Sequence, residues 1–132
     1  MKLTVAIPTF NRDSFIIENL NHLIEQIAAL DEPVDIVVSD NASTDNTEEL
    51  VKALIVGGAP IAYFRNLTNL GMDENADLAI RRSRGEYVLL FGDDDMLEPG
   101  ALATILRCLT EHSDLGLIYA NFRILTLRLN TR

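Results

Sequence analysis

Short β-branched runs alternate along the chain with longer segments of helical period, which restricts the fold to an α/β domain whose mainly parallel sheet is flanked by helices. Leu3 to Ile7 reads as a first buried strand, stopped at Pro8. A helix over Ser14 to Leu30 follows, because Ile16, Leu20, Leu23, Ile24 and Ile27 share one face. Val34 to Ser39 is a second strand. Asp45-Asn46-Thr47-Glu48 has the spacing of a capping box and opens a helix to Val56, which Gly57-Gly58 ends. Ile61 to Arg65 is a third strand, and a helix over Asp73 to Arg84 closes at Gly85 as its C′ residue. Glu86 to Phe91 is a fourth strand, Pro99 suits the first turn of a helix to His112, and Leu115 to Leu129 reads as extended.

The 132 residues fit one domain over 1–132, with 48% apolar residues and a formal net charge of −9. Such an acidic globular chain is a poor partner for polyanions, and only Arg81-Arg82-Ser83-Arg84 resembles a basic face, so no nucleic acid is expected. The apolar stretch of MKLTVAIPTFNR is short and interrupted by Pro8, which does not suit a signal peptide. No segment reaches the roughly 18 apolar residues of a membrane span. The expectation is a cytoplasmic protein. Cys108, in the helical run ALATILRCLTEH, reads as a buried structural thiol.

Each polar cluster follows the C-terminal end of a strand: Pro8-Thr9-Phe10-Asn11-Arg12 the first, Asp40-Asn41-Ala42-Ser43 the second, Asn66 the third, Asp93-Asp94-Asp95 the fourth. Open parallel sheets bind ligands at that edge. Carboxylates at the density of Asp93 to Asp95 raise one another's pKa unless a cation compensates them. Magnesium and manganese favour oxygen ligands and accept one or two carboxylates completed by water and phosphates. The alternative is a solvated acidic turn ahead of a helix. Asp40 poses a similar choice between a turn carboxylate bonding the amides of Asn41 to Ser43 and an acceptor for a nucleobase N–H.

Together, IPTFNR, VSDNASTDNT, NLGMDENADLAIRRSRGEYVLLFGDDDMLEPGAL and GLIYANF resemble glycosyltransferase family 2, over almost the whole chain and in order. The resemblance implies a Rossmann-like GT-A fold and inverting transfer of a sugar from a nucleotide-diphosphate sugar to a glycan or lipid-linked acceptor hydroxyl, with Mn2+ or Mg2+ as cofactor. The GDDD form looks most like the bacterial abequosyltransferase-like branch of O-antigen assembly, which adds a peripheral location at the inner membrane face. By position, Pro8, Thr9, Asn11 and Arg12 match the first nucleotide-contacting loop, Asp40 the base-reading residue, and Asn69 and Gly71 the NxG element. Counted back from Pro99, Asp95 takes the last acidic position of the family's acidic segment and Asp94 the metal position. The resemblance assigns Asp94 and Asp95 to the metal, and Asp93 and Asp94 to the ribose and diphosphate.

Two departures stand out. Glu74-Asn75 replaces an Arg-Asn pair of many members, and Gly92 replaces the first acidic residue of the segment. Family members also continue past the strand that GLIYANF resembles, into an acceptor-binding half that supplies the catalytic base. The chain is therefore expected to be the donor half of a domain truncated at its C-terminus, with no base assigned. The alternative is a non-catalytic nucleotide-binding or scaffold module.

Leu125 to Asn130 alternates apolar and polar residues and reads as an open strand through which the chain self-associates. Arg81, Arg82 and Arg84 read as a solvated helix end, and His22 and His112 as surface residues. Tyr63, Phe64, Tyr87 and Phe91 read as core packing.

Overall fold

The computed structural model describes residues 1–114, 116 and 117. Strands and helices alternate through them: β1 (Leu3–Thr9), α1 (Asp13–Ala28), β2 (Val34–Asp40), α2 (Thr47–Val56), β3 (Ile61–Arg65), α3 (Met72–Arg81), β4 (Tyr87–Leu90) and α4 (Ala101–Glu111). The four strands form one parallel sheet in the order β3-β2-β1-β4. The α/β class and the parallel sheet flanked by helices are thus as expected from the sequence. The expected extended run Leu115 to Leu129 and the self-associating strand Leu125 to Asn130 lie outside the described residues, apart from positions 116 and 117.

Successive strands step outward from β1 through β2 to β3, and the chain then returns to place β4 on the other side of β1. The direction of winding reverses between β1 and β4. Crevices at such a reversal, beyond the carboxyl ends of the strands, are where open α/β sheets hold ligands. Register aligns the ends: Thr9 pairs with Asp40, and Asp40 with Arg65, so three polar residues form one row across the sheet edge.

Pleating sends alternate side chains of the inner strands to opposite faces. Leu3, Val5 and Ile7 of β1 and Ile36 and Val38 of β2 join Ile16, Leu20 and Leu23 of α1, Val51 of α2 and Leu102, Leu106 and Leu109 of α4 in one buried cluster. Helix α3 packs on β1 and β2, where Ala6, Val37 and Ala79 are also buried.

Four local expectations shift. Pro8 does not stop β1, which runs through it to Thr9 in register with β2, beyond the last β1–β4 pair at Ala6. Helix α3 ends at Arg81 rather than Arg84, and Gly85 is no C′ residue. A β-carbon at Gly85 would stand 2.5 Å from the Thr4 amide nitrogen and 2.8 Å from the Leu3 carbonyl carbon, so glycine lets the chain pass close against β1 before β4 begins. Helix α4 begins at Ala101 after Gly100, whose φ is 80°, and Pro99 precedes the helix instead of entering its first turn. At α2 no capping box forms: the N-cap is Asn46 without a side-chain bond, and Asp45, just before it, accepts the Thr47 N–H at 3.0 Å and the Thr47 hydroxyl at 2.6 Å. Glu48 does not reach back, because its carboxylate takes Lys52 Nζ at 3.1 Å and lies 3.5 Å from Arg65 Nε.

Candidate functional site

The loop after β1 is tied to the two loops on either side of it. Thr9 is buried, its hydroxyl donates to Asp93 Oδ2 at 2.9 Å, and its carbonyl accepts the Asn41 N–H at 2.9 Å. Asn11, at φ 50°, donates its N–H to Ser43 Oγ at 2.9 Å and accepts the Thr44 N–H on Oδ1 at 2.8 Å. Asn tolerates this left-handed backbone better than most residues. Pro8 is half-buried in register with Ser39, and Arg12 is exposed with its guanidinium 5.8 Å from the Phe15 ring centre. Thr9 and the charge of Arg12 thus face the loop after β4, whereas Pro8 and Asn11 adjoin β2 and the loop after it.

Asp40 is fully buried. Its Oδ1 accepts the Ser43 N–H at 2.9 Å, its Oδ2 accepts the Tyr63 hydroxyl, and Arg65 Nη1 lies 3.6 Å from that oxygen. Both oxygens thus already have donors, and the turn role foreseen for Asp40 is made. Burial pushes the Tyr63 phenol well above its ordinary pKa, and the acceptor carboxylate of Asp40 adds to the rise. Arg65 also donates to the Ser43 carbonyl at 2.8 Å, so one guanidinium braces both Asp40 and its loop.

Behind this edge lies a buried network that the sequence reading did not assign. Asn41 Nδ2 donates to Asn69 Oδ1 at 2.8 Å and to the Gly71 carbonyl at 3.2 Å, while Asn69 Oδ1 also accepts the Gly71 N–H at 2.9 Å. The Asn69 and Gly71 candidates are thereby joined to the β2 loop, with Gly71 at φ 89° turning the chain into α3. Asn66 Nδ2 donates to Asn41 Oδ1 and Asn75 Oδ1, both at 3.0 Å. Asn75 accepts from Ser39 Oγ at 2.7 Å and donates to the Ser39 carbonyl at 2.9 Å.

Arg82 completes the network by donating to Ser39 Oγ at 2.7 Å and Asn66 Oδ1 at 3.0 Å, with its guanidinium 5.1 Å from the Phe64 ring centre. Arg82 is therefore no solvated helix end; it lies over the sheet because it falls seven residues after Asn75, on the same face of α3. Arg81 does face solvent, paired with Asp77. Phe64 is 37% exposed, so packing against the core does not account for it. Cys108 is half-buried rather than fully buried. His112 is exposed and His22 half-buried.

The acidic loop follows β4 without regular structure. Asp93 is half-buried; burial raises its pKa, the Thr9 bond and the Arg12 charge pull it down, and the charge of Asp94 pushes it up, leaving a net rise. Asp94 and Asp95 are exposed. A β-carbon at Gly92 would meet Asp95 Oδ2 at 2.5 Å and Asp94 Oδ1 at 3.4 Å, so both carboxylates turn toward the space that glycine leaves open. The resemblance implies a divalent cation, and these residues fit one. Two hard oxygen donors share a cradle, next to a third carboxylate whose ionisation is disfavoured as things stand. Among the described residues no three acidic, histidine or cysteine side chains converge into a cage, so further ligands would have to come from water or phosphate.

The polar loops thus line the carboxyl-end edge of a parallel α/β sheet, the edge at which open sheets of this class hold ligands. The match to the family model for glycosyl transferase family 2 extends over residues 4–128, and the chain belongs to this family. It is 36% identical over 118 residues to abequosyltransferase RfbV of Salmonella typhimurium, covering 89% of this chain and 35% of that protein. The solved structure of S. aureus TarS 1-349 in complex with UDP-GlcNAc superposes with a TM-score of 0.75 at 30% identity, covering 86% of this chain and 32% of that one. The mannosyltransferase PcManGT of Pyrobaculum calidifontis, solved with GDP-Man and Mn2+, gives a TM-score of 0.71 at 25% identity over 82% of this chain and 32% of that one. The chain thus spans about a third of the length of these proteins. No helix among the described residues is long and apolar enough to cross a membrane.

Proposed function

We propose that the chain is the donor-binding part of a metal-dependent glycosyltransferase that moves a sugar from a nucleotide-diphosphate sugar to the hydroxyl of a glycan or lipid-linked acceptor. Its setting is bacterial polysaccharide synthesis of the O-antigen type, in the cytoplasm or peripherally at the inner membrane face. The bond from Thr9 to Asp93 carries the reading, because it joins the first nucleotide-contacting loop to the acidic loop at the winding reversal of the sheet. UDP-GlcNAc in the TarS structure and GDP-Man with Mn2+ in the mannosyltransferase support the ligand class.

On this reading the loop of Pro8, Thr9, Asn11 and Arg12 and the Asn69–Gly71 element border the nucleoside, with Asp40 setting the base end of the site. Asp93 borders the ribose and diphosphate, and Asp94 and Asp95 would hold Mn2+ or Mg2+. When bound, the cation supplies charge neutralisation to the departing nucleoside diphosphate. Arg12 adds a positive charge on the same side, since it already offsets that of Asp93. Transfer also requires a general base for the acceptor hydroxyl, a role assigned to no residue of this chain.

Calorimetric titration with UDP, GDP, dTDP and CDP, with and without Mn2+, tests the proposal on wild type and Asp94→Ala. One diphosphate should bind, tighten about tenfold with Mn2+, and lose that gain in the variant, a coupling of about 1.4 kcal/mol. Absence of tightening in wild type, or its persistence in Asp94→Ala, removes the metal assignment.

A further inference from the structure

The acidic loop is tied to α1 by two amide side chains. Asn19, at 3% exposure, donates Nδ2–H to the Gly92 carbonyl at 2.8 Å. Gln26 donates to the Leu97 carbonyl at 3.3 Å and the Glu98 carbonyl at 3.0 Å, while its Oε1 accepts the Leu102 N–H at 3.2 Å in the first turn of α4. Asn19 and Gln26 are two helical turns apart, so they share a face of α1 and stand roughly 10 Å from each other along its axis. Fully extended, the six peptide steps from Gly92 to Glu98 would reach roughly 20 Å. Tied at both ends across about half that span, the segment has the slack to form an arch. The arch contains the turn closed by the Asp95 N–H on the Gly92 carbonyl at 3.3 Å, and it carries the exposed Asp94 and Asp95.

Packing alone does not ask for an amide at position 19. Its neighbours on that face, Ile16, Leu20 and Leu23, are buried and apolar, and Asn19 Oδ1 has no hydrogen-bond partner among the described residues. A leucine there would bury as well without stranding an acceptor. What the amide adds is a donor aimed at the first residue of the acidic loop. Asp93, inside the arch, is fixed separately by Thr9, so the three anchors frame the exposed Asp94 and Asp95 beside Gly92.

We propose that Asn19 and Gln26 are positioning residues that set the arch of the acidic loop, and so the placement of Asp94 and Asp95 toward a divalent cation and the donor diphosphate. The assignment rests on the donor-site reading above. It predicts that the two amides govern metal-dependent nucleotide binding without touching the nucleotide.

The test uses the full chain with Asn19→Leu, which removes the donor and the stranded acceptor together, and Gln26→Glu, which keeps the acceptor for Leu102 but removes the donors to Leu97 and Glu98. Two quantities are read: backbone amide exchange across 92–98, and the tightening by Mn2+ of whichever nucleoside diphosphate the wild type binds. Exchange at Asp95 should rise about tenfold in each variant while the strands stay protected. The Mn2+ gain should fall about tenfold while metal-free nucleotide affinity stays within about twofold.

Unchanged exchange in the loop overturns the brace itself. Faster exchange with a wild-type Mn2+ gain shows that the amides only seat α4 on α1, and overturns the positioning role. If wild type shows no Mn2+ gain, the metal assignment of the donor site falls and takes the positioning role with it, a result distinct from loss of the gain in the variants alone. Should Asn19→Leu fail to fold, Gln26→Glu decides by the same two readouts, since its side chain is only partly buried and its bond to Leu102 is kept.

Discussion

The two ends of the candidate site are built on opposite rules. Between β2, β3 and α3, the buried side chains of Ser39, Asn41, Asn66 and Asn75 satisfy one another, with Arg82 closing the set. Across the winding reversal, the acidic loop keeps Asp94 and Asp95 exposed and leaves the half-buried Asp93 with a raised pKa. The first end is finished within the protein; the second holds negative charge that the chain leaves only partly balanced. On the donor-site reading, the nucleoside end is thus preorganised, and the diphosphate end is completed by what binds.

The largest expected effect breaks the finished end. Asn66→Leu keeps the branched outline, though methyls are bulkier than the amide, and strips a donor from Asn41 and Asn75 and an acceptor from Arg82, so urea unfolding should show a loss of about 3 kcal/mol. Arg81→Ala, next to Arg82 in sequence but paired with exposed Asp77, should leave the midpoint unchanged. Equal effects from the two variants would erase the distinction between Arg82 and its neighbours.

Glycines sharpen the contrast next. Gly71 stands at φ 89° and ψ 160°, a region nearly confined to glycine, with nothing near the position a β-carbon would take, so Gly71→Ala costs backbone strain alone, about 1–3 kcal/mol of stability. At Gly92 the added methyl meets the end of the Asp95 side chain, which can swing away. Gly92→Ala should therefore cost little stability, by urea midpoint, yet weaken Mn2+ coupling by displacing Asp95. Asp94→Asn goes further: removing a charge that disfavours the ionised Asp93 should raise stability by about 0.5 kcal/mol or less while abolishing the Mn2+ gain. A stability loss on that scale would mean that the acidic loop is held by its charges rather than strained by them.

Strand and helix positions were legible because they rest on local periodicity, and the polar clusters could be assigned to one sheet edge because each follows a strand. The order β3-β2-β1-β4 was not legible, since pairing between distant segments leaves no local pattern. Arg82 was misread from its place near a helix end. The correcting signal lies in the stripe Asn75, Ala79 and Arg82, whose first two members are buried, so the third points back toward the sheet. Asn19 interrupts the stripe Ile16, Leu20, Leu23 in the same way. A polar residue on an apolar helix face identifies a bond to be made, but only the fold shows that the partner is the carbonyl of Gly92. Of the two roles weighed for Asp40, the turn role is formed, whereas Tyr63 and Arg65 came to it through the register of β3, beyond the reach of local sequence.

The smallest effect concerns the seam between the two ends, where Asp13 and Asp45 exchange bonds. Asp45 Oδ2 accepts the Asp13 N–H at 3.1 Å and Asp13 Oδ2 accepts the Asn46 N–H at 3.3 Å, so carboxylates cap the N-termini of α1 and α2 together. Both helix ends carry partial positive charge, which favours the ionised form. Burial raises the Asp45 pKa somewhat, but the Thr47 hydroxyl and the backbone N–H donors outweigh it, and the folded value lies below the ordinary 3.8. The stability that Asp45 contributes is therefore fully present above its unfolded pKa and is lost as pH falls through the folded one. Asp45→Asn, which does not titrate, should be slightly less stable than wild type in urea at about pH 7 and 5, with the gap narrowing toward pH 3. A gap that persists unchanged to that pH would assign the cap to hydrogen-bond geometry alone, and the charge of Asp45 would then do nothing to hold the two helix ends at the site.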